Sequence, residues 1–126
     1  MIKKVAFIAH PTRDIAAART FYGETLGLDA SADYGELWCE FKTPDGTTIA
    51  LDTITPTVSE SPAVYMALET DDIEAEVTRL KSAGATIARD TWTNKDDEGR
   101  EICKMAMIVD SDGNPVMLHE IAPWRA

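Results

Sequence analysis

Val109-Asp110-Ser111-Asp112-Gly113-Asn114 closes one apolar run and opens another, and Lys42-Thr43-Pro44-Asp45-Gly46 does the same, with Asp45 67 residues before Asp112. Both segments read as tight turns, because Asp and Asn bond to nearby backbone and Gly takes φ values other residues avoid. Strand candidates flank each: Glu36 to Lys42 and Thr47 to Ile54 around the first, Ile102 to Val109 and Pro115 to Ile121 around the second. Working outward, the helix starts repeat too. Asp14-Ile15 matches Asp72-Ile73 at an offset of 58 residues, the difference reflecting linking segments of unequal length.

The remaining elements fall in the same order twice. Lys4 to His10 is a short apolar run, consistent with a strand buried on both faces. Asp14 offers an N-cap, and Ile15, Ala18, Tyr22 and Leu26 share one helical face before Gly27 supplies a stop. Leu28 to Asp33 is the next strand candidate. In the second half, Ala63 to Glu69 is strand-like, and Asp71 and Asp72 cap a helix bearing Ile73, Val77 and Leu80 before Gly84. Ala85 to Thr91 is then a strand, and Asn94 to Arg100 a solvated charged loop. Each half is βαβββ, with one helix for four strands. The expected fold is α+β: two tandem modules forming a curved mixed sheet with a concave pocket and the helices outside. The expected boundaries are module one 1–54, linker 55–62 with its two prolines, and module two 63–126, together one domain.

Composition excludes more than it selects. Hydrophobic residues make up 44% and charged residues 27% of 126 residues, an ordinary globular balance. Twelve Lys and Arg against 22 Asp and Glu give a net charge of −10, which repels phosphate backbones and anionic lipid. No nucleic-acid or membrane partner is expected. High solubility accounts for the same charge, and so does a cationic partner. Cys39 and Cys103 sit far apart inside apolar runs, unlike a disulfide framework or a CxxC site, and read as buried free thiols of a cytoplasmic protein. The apolar run after Lys3-Lys4 breaks at His10-Pro11, too short for a signal peptide, and no stretch is long enough to span a bilayer.

Three motifs carry a family resemblance. Ala17-Ala-Arg-Thr-Phe-Tyr-Gly-Glu-Thr-Leu-Gly-Leu28 resembles the first-helix signature of the vicinal-oxygen-chelate superfamily, the glyoxalase, bleomycin-resistance and dioxygenase group. Ala67-Leu-Glu-Thr-Asp-Asp-Ile-Glu-Ala75 is similar to the start of its second module, and Asp110-Ser-Asp-Gly-Asn-Pro-Val-Met-Leu118 to its last turn and strand. The resemblance spans nearly the whole chain. It implies a fold but not one activity, since the superfamily holds lyases, dioxygenases, thiol transferases, epimerases and metal-free drug-sequestering proteins. It also implies a homodimer.

The superfamily's enzymes hold a divalent metal with His, Glu or Gln on the first and last strands of each module. Those positions map here onto Phe7 (or Ala6, if the following loop is one residue shorter), Ala50, Tyr65 and Met117. Phenylalanine, alanine and methionine offer no hard donor, and neutral tyrosine is a poor one. The expectation is therefore no metal and no cofactor. A displaced site built from His119, Asp52 and Glu40 is the alternative, since alternation keeps His119 with Met117 and Asp52 with Ala50. His10, beside Pro11, is expected at the surface or against a loop.

By the same alternation the concave face carries Phe7, Ala50, Asp52, Tyr65, Glu69, Met117 and His119. A pocket tyrosine of the ring-cleaving relatives maps onto Met107, and that phase adds Cys103, Met105 and Met107, with Trp38 and Glu40 opposite. Trp92 is expected after its strand, guarding the rim. Aromatic rings and thioethers suit a hydrophobic, planar ligand, and acids beside them a cationic one; plain core packing accounts for the same residues. No Ser-His-Asp order or phosphate-cradling loop appears, and no catalytic residue is assigned. The expected function is metal-independent binding of a small molecule. The alternatives are a lyase or isomerase using a displaced metal, or His119 with Glu40 or Cys103, and a partner protein without a ligand.

Overall fold

The computed structural model describes Met1 and residues 5–53 and 65–126, and the chain divides into two compact units, Met1–Val64 and Tyr65–Ala126. In the first unit, β1 (Ile8–Pro11) leads into α1 (Ile15–Arg19), which continues as a π-helical turn over Thr20–Thr25. Then follow β2 (Asp29–Asp33), β3 (Trp38–Lys42) and β4 (Thr48–Asp52). The second unit repeats the order with β5 (Met66–Glu69), α2 (Ile73–Ser82), β6 (Thr86–Lys95), β7 (Glu101–Val109) and β8 (Pro115–Ile121). The sheets are ordered β1-β4-β3-β2 and β5-β8-β7-β6, and in each the first strand runs parallel to the last while the other pairs are antiparallel. The fold is thus α+β, two tandem βαβββ modules. The expected linker 55–62, Ile54 and the start of module two at Ala63 lie outside the described residues, as does Lys4. No helix among the described residues is long and apolar enough to cross a membrane.

Each helix begins where an aspartate caps it. The Asp14 carboxylate accepts the Ala17 amide and the Asp72 carboxylate the Ala75 amide, both at 3.1 Å, satisfying donors that the helix itself leaves free. Each helix then covers one face of its own sheet. In the first unit Tyr22 is fully buried, stacks on Phe41 and lies 3.2 Å from His10 Nδ1 in a hydrogen bond. The register places Ile8, Ile49 and Phe41 in one row and His10, Leu51 and Cys39 in the next, so these rows face the helix. In the second unit Ile73, Val77 and Leu80 are buried, and the Ile73 amide donates to Glu120 Oε1 at 2.9 Å, which puts Val116 and Leu118 on the helix side.

Four expectations need correction. β1 starts at Ile8 and is not buried on both faces: only His10 is buried in it, and among the described residues it is an edge strand paired with β4. His10 is a core residue rather than a surface one, held by Tyr22. The first helix does not keep one 3.6-residue period. Leu26 N–H reaches back to Phe21 C=O at 2.8 Å, and this wider turn directs both Phe21 and Tyr22 inward. Finally, β6 extends to Lys95, so Asn94 and Lys95 belong to the strand rather than to a charged loop.

The two Asp-Gly turns close differently. In the first, Asp45 Oδ1 accepts the Thr47 amide at 3.0 Å and the Thr43 hydroxyl at 2.5 Å. In the second, the organising carboxylate is Asp110, which stands where Thr43 stands in the repeat. It is buried and accepts the Asp112 and Asn114 amides at 2.9 and 2.8 Å and the Asn114 side chain at 2.8 Å. Asp110→Ala is expected to cost about 1–3 kcal/mol in urea unfolding, the range for stranding buried donors, with Asp45→Ala costing less because that turn is exposed.

Candidate functional site

Helices cover one face of each sheet, and the chemistry collects on the other. In the first unit the register aligns Ala9, Ala50, Glu40 and Ala32 in one row and Pro11, Asp52 and Trp38 in the next. Phe7, just before β1, meets Trp38 edge to face at 5.2 Å between centroids. Trp38 Nε1 donates to Glu40 Oε2 at 3.1 Å. Ala50 and Asp52 are buried, and the Asp52 carbonyl accepts the Thr12 amide at 2.8 Å. All five residues expected from this module, Phe7, Trp38, Glu40, Ala50 and Asp52, therefore share the helix-distal face.

Beside it, a cavity of about 260 Å³ opens at the β2 edge, lined by Arg19, Ala30 to Asp33 and Cys39 to Phe41. Arg19 pairs with Asp33 at 2.7 Å, and its hydrogen bond holds the Asp33 carboxyl below the ordinary range. Burial raises the Cys39 thiol, which is a packing group on the helix side.

In the second unit three rows cross the helix-distal face. The first is Arg89, Met107, Met117 and Ala67; the second is Trp92, Met105, His119 and Glu69; the third is Asn94, Cys103 and Ile121. Tyr65 immediately precedes β5, one alternation step before Ala67, and is exposed. Thus Cys103, Met105, Met107, Met117 and His119 lie together as expected, with Met117 and Cys103 buried and the others partly so. His119 Nδ1 lies 2.5 Å from Glu69 Oε1, while Glu69 Oε2 accepts the Ile121 amide at 2.7 Å. The carboxylate so fixes the imidazole's orientation on the sheet.

Sequence reasoning missed two members of this face, Arg89 and Asn94, and one pairing. Glu69 was placed on it by alternation, but not as the partner of His119. Arg89 was missed because the β6 register shifts between Ile87 and Arg89 and again between Arg89 and Trp92, and Asn94 because it read as the start of a charged loop. Strict alternation puts residues 89 and 92 on opposite faces; the irregularity puts both on one. Trp92 is accordingly a mid-strand residue rather than a rim residue after the strand. Its Nε1 donates to Asn94 Oδ1 at 3.2 Å, Asn94 Nδ2 donates to Cys103 Sγ at 3.4 Å, and the Arg89 guanidinium lies 3.8 Å over the indole.

Residues 4–118 match the model of the Glyoxalase/Bleomycin resistance protein/Dioxygenase superfamily. The chain belongs to that superfamily. Among solved structures, it superposes on TnmS3, an antibiotic binding protein from a Streptomyces species, with a TM-score of 0.77 and 26% identity, covering 96% of this chain and 98% of that one. A glyoxalase/dioxygenase from Nostoc punctiforme matches with a TM-score of 0.75 and 23% identity over 95% and 92% of the two chains. A lactoylglutathione lyase from Agrobacterium tumefaciens matches at 0.71 and 17% identity over 94% of each. The last two likenesses show the fold alone. Among curated proteins none matches the sequence significantly.

The superfamily's metal positions do not fit a metal in this chain. Phe7 presents a ring engaged with Trp38, Ala50 a buried methyl, Tyr65 a phenol and Met117 a thioether. None is the imidazole or carboxylate that hard divalent cations require. Among the described residues no group of three or more His, Cys, Asp and Glu side chains is arranged to hold a metal ion. Of the displaced set, His119 Nδ1 already faces Glu69 and Glu40 already accepts from Trp38.

The Glu69 contacts make a prediction. Glu69→Ala should cost about 1 kcal/mol and speed exchange of the Ile121 amide, read by hydrogen exchange NMR, whereas His119→Ala should leave that amide protected.

Proposed function

We propose that this protein binds a small hydrophobic molecule, planar or cationic, without a metal ion. Each unit's helix-distal face carries its own candidate contacts: Phe7, Trp38, Glu40, Ala50 and Asp52 in the first, and Tyr65, Cys103, Met105, Met107, Met117 and His119 in the second. The observation that carries the reading is the run of thioethers Met105, Met107 and Met117 beside Trp92, at and around a position where the superfamily's enzymes need a hard ligand. Thioethers are polarisable and conform to flat apolar surfaces, so they favour ring systems over small polar substrates. The likeness to an antibiotic binding protein over nearly the full length of both chains supports the same reading. The superfamily's habit of pairing subunits suggests a homodimer, and the two buried free thiols suit the cytoplasm. Calorimetric titration with Ni²⁺, Zn²⁺, Mn²⁺ and Fe²⁺ is expected to show no stoichiometric binding; tight one-to-one binding lost in His119→Ala or Asp52→Ala would sink the reading.

The contact between His119 and Glu69 favours a second reading, an acid–base lyase or isomerase of the same superfamily. With Nδ1–H donated to the carboxylate, Nε2 carries the lone pair and becomes the proton acceptor, the orientation logic of many histidine bases. On this reading a turnover found by screening glutathione hemithioacetals is abolished in His119→Ala. Full activity in that variant excludes His119 as the base.

A further inference from the structure

The binding reading leaves the ligand's charge open, and Arg89 decides it. Arg19, Arg79, Lys81 and Arg100 each pair with a carboxylate, on Asp33, Glu76, Asp90 and Asp96. Arg89 has no such ion pair among the described residues; its guanidinium rests on the Trp92 ring instead. In a chain of net charge −10, an arginine seated on an indole rather than on an acid has its N–H donors unspent. Its position is built. The irregular register on both sides of Arg89 turns it and Trp92 to one face, and the bond from Trp92 Nε1 to Asn94 holds the indole beneath it. Arg89 pairs across to Met107 and Trp92 to Met105, so the cation borders the thioether strip.

The acid of this face does not neutralise it. Glu69 is spent on His119 and the Ile121 amide, and it lies on β5, the opposite edge of the sheet. Three strand spacings separate β6 from β5, about 14 Å, which exceeds the screening length of about 8 Å at physiological salt.

We infer that Arg89, stacked on Trp92, selects a planar aromatic carboxylate, its guanidinium taking the anion while the ring system lies along Met105 and Met107. The inference rests on the small-molecule reading and replaces its cationic option. A guanidinium fork matches a carboxylate through two parallel N–H donors, and its stacking on the indole orients it at little entropic cost.

The test uses three isosteric probes that differ in charge: 2-naphthoate, 2-naphthamide and 2-naphthylmethylammonium, titrated calorimetrically into the full-length protein. Naphthoate is expected to bind at least tenfold tighter than the amide, and the cation weakest. Arg89→Gln should weaken naphthoate far more than the amide and bring the two to within about twofold of each other, and Arg89→Lys should keep part of the preference. Arg89 is exposed, and an unchanged thermal midpoint shows that each variant is folded. Saturable binding without preference for the anion, or a preference that survives in Arg89→Gln, overturns the inference and leaves small-molecule binding standing. If none of the three binds saturably, the small-molecule reading falls and this inference with it.

Discussion

The pairing of β7 with β8 is the constraint on which the candidate site depends. Met105 lies opposite His119 and Met107 opposite Met117, while Ala106 and Ile108 turn to the other face with Leu118 and Val116. A slip by one residue would send the thioethers under α2 and bring the core aliphatics to the open side. The cost of that exchange is large. Ala106, Ile108, Val116 and Leu118 are all buried, and each fully buried aliphatic side chain is worth roughly 1.5–3 kcal/mol. The turn held by Asp110 adds a local restraint at the end of the same pairing. Core burial and turn chemistry therefore set the register, and the register alone determines which polar groups share a surface.

That is why so much of the arrangement is legible in the sequence. Two Asp-Gly turns, two aspartate caps and a period-2 pattern are local signals, and each survives into the structure as a bond or a buried face. Alternation from Met117 carried His119, and the resemblance phased on Met107 carried Cys103 and Met105, to one face without any knowledge of the partners they meet. The first unit obeys the same rule, where Phe7, Trp38 and Ala50 share a face through the pairing of β1, β4 and β3.

What was not legible required one strand to break the rule or two distant groups to meet. No local signal in Thr86 to Lys95 marks a shifted register, so alternation alone does not bring Arg89 and Trp92 to one face. His10 seemed a surface residue because its partner, Tyr22, lies on the following helix, and the π-helical turn that delivers Tyr22 has no simple sequence signature. The organising carboxylate also moved between repeats. Aligning Asp45 with Asp112 is correct for the chain, yet the bonds made by Asp45 are made by Asp110 in the second turn. Repeats preserve the shape of a turn more faithfully than the atom that closes it.

The face that results sets a local charge against a global one. Ten net negative charges repel an anion at a distance, but salt confines that repulsion to a range of about 8 Å. At contact, a guanidinium and a carboxylate 4 Å apart attract by about 4 kcal/mol at an effective dielectric of 20, before desolvation is subtracted. Short range therefore wins, provided the ligand is drawn in by something other than charge. Burying 100 Å² of ring surface on Met105, Met107 and Trp92 would supply about 2.5 kcal/mol. On the proposed reading, a small inorganic anion would lack that term and be repelled by the acidic surface, while an aromatic cation would be drawn in by the field and then meet Arg89. An aromatic anion alone gains from both the thioethers and the guanidinium. The proposed selectivity would lie in requiring the two together, because neither contribution by itself outweighs the cost of immobilising a small molecule on the sheet.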